Sequence, residues 1–85
     1  MDKGIMIIQM KSRSRHAVAV QEILTQFGCL IKTRLGIHDG VGNSCSDSGL
    51  IILELVGSMA KQKKLAMALN RLAGVKTKRM ELFFK

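Results

Sequence analysis

Residues 4–10 read Gly4-Ile5-Met6-Ile7-Ile8-Gln9-Met10. The run is short, rich in β-branched residues and apolar at almost every position, which predicts a strand. Both of its faces are apolar, so it belongs in the middle of a sheet. A second run of the same kind, LIILELVG, occupies residues 50–57. Two central strands of this type decide the fold, because the rest of the chain must supply their edges and their cover.

Outward from the first run, residues 11–15 (KSRSR) form a polar break in which Ser14 offers a helix N-cap. In residues 15–27, Ala17, Val20, Ile23, Leu24 and Phe27 recur on one face of an amphipathic helix, and Gly28 stands at the C-cap position. Residues 29–38 alternate, with Cys29, Ile31, Thr33, Leu35 and Ile37 on one face and Lys32, Arg34 and His38 on the other. That pattern predicts a half-buried strand, with Cys29 a buried structural cysteine. Residues 39–49 are a Gly- and Ser-rich loop, long for a hairpin connection. Beyond residues 50–57, Ser58 caps a helix over 59–73 with Leu65, Ala68, Leu69 and Leu72 as its buried stripe. Its solvent side carries Lys61, Lys63, Lys64 and Arg71, and Gly74 ends it. Residues 75–84 alternate again and make the last strand.

The order β-α-β-β-α-β is the split βαβ arrangement. Right-handed crossovers place both helices on one face of a four-stranded antiparallel sheet of order 4-1-3-2. The expected fold is α+β, a ferredoxin-like sandwich, as a single domain over residues 1–85.

The chain has 85 residues, a formal net charge of +8, 47% apolar residues and no Pro, Trp or Tyr. That length excludes a two-domain enzyme with its own cleft. The apolar content excludes a disordered basic tail. No apolar run reaches the roughly 18 residues of a membrane span, and Ile5–Ile8 lacks a signal-peptide cleavage pattern. Two Cys are no secreted disulfide framework, so a reducing cytoplasm is the expected setting. The apolar share is high for so small an interior. Two helices cover one sheet face, yet both faces of the central strands are apolar, and monomers rarely leave such a patch wet. The missing cover is expected to be another copy, giving a homo-oligomer, a dimer or a dimer of dimers. Alternation does not decide which residues point outward. Met6, Ile8, Leu50 and Ile52 are the residues assigned here to the interface.

With its helix-Gly-strand stretch RHAVAVQEILTQFGCLIKTRLGIHDG, and with CSDSGLIILELVG and LNRLAGVKTKRMEL, the chain resembles ACT-like domains. It is more closely similar to the ligand-sensing C-terminal domain of nickel-responsive repressors and to a small family of regulators of the iron-only hydrogenase system. The resemblance spans roughly residues 4–82. It implies a βαββαβ fold, homo-oligomerisation and a regulatory role, exercised through a small effector or a partner protein. The DNA-binding half of the nickel repressors has no counterpart here, so direct repression is not implied.

The same resemblance suggests a transition-metal sensor. His38 and Cys45 match the second His and the Cys of the repressors' ligand pattern, and imidazole with thiolate suits Ni or Zn. The first His of that pattern falls at Gly36. Asp39 or Asp47, and His16 of another subunit, are candidates to complete the set. Lys11, Arg13 and Arg15 cluster at the positive end of the first helix, where an anion can sit. Gly40 and Gly42 in the long loop add flexible backbone for an effector.

Direct nucleic-acid binding is not expected. The charge would support a basic nucleic-acid-associated module, but the central strands lack aromatic stacking residues. No nucleophile-base-orienter set is present, so an enzyme is not expected either.

Overall fold

The computed structural model describes residues 3–38 and 48–81. Strand β1 spans Gly4–Met10, helix α1 Arg13–Gln26, β2 Ile31–His38, β3 Gly49–Leu55, α2 Met59–Asn70 and β4 Val75–Glu81. The sheet order is β2-β3-β1-β4, and every pairing is antiparallel. The two apolar runs are the two central strands, as their double-sided patterning requires. The fold is the expected ferredoxin-like βαββαβ sandwich.

The core lies between the helices and one face of the sheet. Met6, Ile8, Leu53, Leu55, Val20, Leu24, Leu65 and Leu69 are almost wholly removed from water there. Met6 and Ile8 therefore point into the core and cannot form an outward interface, which corrects half of that assignment. Alternation then turns Ile5 and Ile7 outward with Leu50 and Ile52.

Element ends differ from the sequence expectations by a few residues, for local reasons. Helix α1 starts at Arg13, because extended Ser12 is the N-cap residue and its carbonyl accepts the His16 N–H at 3.0 Å. Ser14 lies inside the first turn. After α1 the chain makes a short 3-10 turn, Gly28–Leu30, closed by Leu30 N–H donating to the Phe27 carbonyl at 2.9 Å. Cys29 rides on the outside of this turn and is exposed, so it is neither a strand residue nor a buried one. Helix α2 begins as expected, with Ser58 Oγ accepting the Lys61 N–H at 3.2 Å.

The ladder between β2 and β3 contains an irregularity between Ile31 and Thr33. Ile31 opposes core-facing Leu55, whereas Thr33, Leu35 and Ile37 oppose outward Glu54, Ile52 and Leu50. The extra residue splits the apolar set that strict alternation put on one face, and turns its Leu35–Ile37 portion outward.

Directly opposed residues share a face. The outward residues consequently fall into three rows across the sheet. The first holds Thr33, Glu54, Ile5 and Met80. The second holds Leu35, Ile52, Ile7 and Lys78. The third holds Ile37, Leu50, Gln9 and Lys76. Among the described residues no element covers this face, and Leu35, Ile37 and Met80 are 55%, 38% and 48% exposed.

Candidate functional site

On the helix side, the two helices cover β1, β3 and β4 but leave the far edge of the sheet open. The result is a groove of about 490 Å³ between α1 and β2. Met10, Arg13, Ala17, Gln21, Arg34 and Gly36 line it, with core-facing Ile51 as its apolar floor beside Gly49; Ile37 and Leu50 border it but belong by alternation to the outer face. Two glycines shape it in different ways. Gly36 opposes core-facing Ile51 in the ladder, and a Cβ added there would meet nothing within 4 Å. At Gly49 the opposite holds. A Cβ there would come within 2.9 Å of the Met10 Cε and 3.6 Å of the Arg13 Cβ, so its absence lets the start of α1 settle on the sheet.

Arg13 and Arg34 line the groove, and among the described residues no acidic side chain does. Arg13 opens α1, whose first turn carries no acidic residue and whose N-cap side chain makes no capping bond. The helix dipole therefore adds its positive end to the same wall. A concave site with two fork-shaped cations and an apolar floor suits a small organic anion, a carboxylate or a phosphate ester.

The structure brings together only part of the residue set expected from the sequence. Arg13 lines the groove. Lys11 lies on another hollow, beside Gln9, Ser48 and Lys76, and its backbone N–H donates to the Gly74 carbonyl at 2.7 Å. Arg15 is exposed on α1 and lines neither. Gly40, Gly42, Cys45, Asp39 and Asp47 lie outside the described residues. His38 ends β2, with its backbone opposite Gly49. His16 sits over Gly74 of its own chain, where an added Cβ would come within 2.6 Å of its Nε2. Among the described residues no group of three or more metal-ligating side chains gathers, and no helix is long and apolar enough to cross a membrane.

Two features escaped the sequence reading. Arg34, grouped with the solvent face of its strand, becomes a wall of the groove because of the irregularity in β2. Gln62, a lone Gln among the lysines of α2, is fully buried. Its Nε2 donates to the Gly57 carbonyl at 3.2 Å, and its Oε1 accepts from Arg79 Nε at 2.9 Å. Arg79 in turn pairs with Glu81 at 2.6 Å. This chain of polar contacts ties α2 to the last strand.

Solved structures share this architecture. An uncharacterised protein from Thermotoga maritima superposes with a TM-score of 0.82 at 24% identity, over 96% of this chain and 98% of the other. A formyltetrahydrofolate deformylase from Pseudomonas putida matches with a TM-score of 0.59 at 15% identity, over 93% of this chain but 28% of the enzyme. A nitrogen regulatory PII-like protein from Thiomonas intermedia, bound to ADP, AMP and bicarbonate, matches with a TM-score of 0.61 at 11% identity, over 98% of this chain and 97% of the other. No family model and no curated protein sequence matches the chain.

Proposed function

We propose that this chain is a homo-oligomeric regulatory domain that senses a small anionic effector. The observation that carries the sensing role is the groove between α1 and β2, with Arg13 and Arg34 over an apolar floor. Effector binding there would bridge α1 to the edge strand, two elements that pack little against each other otherwise. A change in their spacing is the signal, passed on through contacts with other copies or a partner protein. The likeness to a PII-like protein holding nucleotides supports this reading, as does the small size of the fold. A role in regulating an iron-only hydrogenase system follows from the sequence resemblance and is the narrower form of the same proposal.

Thermal unfolding of the full chain against AMP, ADP, inorganic phosphate and short dicarboxylates tests it. At least one of these is expected to raise the midpoint saturably, and Arg34→Ala is expected to abolish the rise. If none moves the midpoint, or if the rise survives Arg34→Ala together with Arg13→Ala, the groove is not an effector site. Binding to DNA or RNA that collapses steeply with salt would favour a nucleic-acid module instead.

A further inference from the structure

Taking the homo-oligomer proposed above as given, we propose that a second copy of this chain docks on the outer sheet face, with its strands near right angles to the first. The two-fold axis runs along the diagonal from Ile37 to Met80. Neighbouring strands lie about 4.8 Å apart and alternate residues along a strand about 7 Å apart, so the grid of outward residues is close to square, roughly 14 Å on each side. Its apolar residues are not spread evenly. They run from the Ile37 corner through Leu50, Ile52 and Ile7 to the Met80 corner, with Leu35 and Ile5 flanking that band on one side. The two remaining corners are polar and of different character. One holds Thr33 and Glu54, joined by a hydrogen bond of 2.9 Å, and the other holds Lys76 and Lys78.

A two-fold axis lying between two facing sheets places each residue over the mirror position of its copy across that axis. Four such axes fit a square grid. An axis parallel to the strands sets Lys78 over Leu35 and Glu54 over Ile5, burying two charges against aliphatic side chains. An axis across the strands sets Lys78 over its own copy. The diagonal through the polar corners sets Lys76 over its own copy. Only the Ile37–Met80 diagonal brings Lys78 next to the partner's Glu54, over the gap between Glu54 and Ile5 and about 2.4 Å from each in the plane, twice by symmetry, while the apolar band packs along the axis on itself. It corresponds to the orthogonal class of sheet packing, and its isologous contact closes as a dimer.

The test uses the full chain in sedimentation equilibrium. The natural chain is expected to dimerise. Lys78→Glu should weaken the dimer roughly tenfold or more, and adding Glu54→Lys should restore most of it, as for a directly coupled pair. In a Cys29→Ser/Cys45→Ser background, Ile37→Cys is expected to form an intermolecular disulfide on mild oxidation, because it sits on the axis. Gln9→Cys should not, being about 13 Å in the plane from its own copy. A chain that stays monomeric at millimolar concentration overturns the homo-oligomer itself. A dimer that Lys78→Glu tightens, or that Gln9→Cys cross-links as fast as Ile37→Cys, keeps the oligomer and overturns this axis.

Discussion

At the scale of single residues, the fold depends on a few positions where one atom decides whether neighbouring elements can meet. Gly74 has φ +79, in the left-handed region that L side chains rarely adopt, and His16 fills the space its Cβ would need. Gly74→Ala is expected to cost about 1–3 kcal/mol from backbone strain and displacement of the imidazole, read from denaturant midpoints by circular dichroism. Gln62 is the second such position. Truncation by Gln62→Ala removes the acceptor of a largely buried Arg79 Nε–H and uncovers the Gly57 carbonyl. It should cost about 2–4 kcal/mol, more than an exposed Gln on the same helix. A loss under about 0.5 kcal/mol would show that water replaces both contacts. Gly74 was legible in the sequence, since a glycine after an apolar helical stripe marks a helix end. Gln62 was not. A lone Gln among lysines carries no burial signal, and its role depends on Arg79, seventeen residues later, arriving from the neighbouring strand.

At the scale of elements, strand existence and order were written in the apolar runs, whereas the behaviour of β2 was not. Period-two alternation put Cys29, Ile31, Thr33, Leu35 and Ile37 on one face. The 3-10 turn removes Cys29 from the strand, and the irregularity after Ile31 reverses the face of everything downstream. Gly28 opens the turn but reads as the end of α1, and the irregularity has no Gly or Pro at the point where it occurs, so alternation had nothing to break on. The irregularity has consequences for the candidate site, because it turns Arg34 toward α1 and leaves Gly36 as the open side of the groove. Gly36→Val should fill that side. A β-branched residue suits an exposed edge strand, and the added atoms enter open space, so stability should stay within about 1 kcal/mol of the natural chain. Effector-dependent stabilisation should fall at the same time. If Gly36→Val binds as the natural chain does, the ligand lies elsewhere.

For the whole molecule, the high apolar content and the net charge of +8 find separate places. The apolar excess lies where the helices cannot reach, on the outer face, now enlarged by Leu35 and Ile37. Part of the charge, Lys76 and Lys78, borders that face instead of interrupting it. Such a division links folding to assembly, since covering the face removes apolar surface from water that a lone copy leaves exposed. The thermal midpoint of the natural chain should therefore rise with protein concentration, because mass action favours the folded dimer over unfolded monomers. Ile52→Lys puts a charge near the centre of the face without touching the core, where Ile51 and Leu53 hold β3 in place. Its midpoint should be nearly independent of concentration and close to that of the natural chain at high dilution. A natural chain whose midpoint is flat over a hundredfold range would mean that the face stays wet. If Ile52→Lys fails to fold even when dilute, the outer face matters to the monomer itself. In that case the charge-reversal pair at Lys78 and Glu54, both on the rim, remains the cleaner probe of assembly.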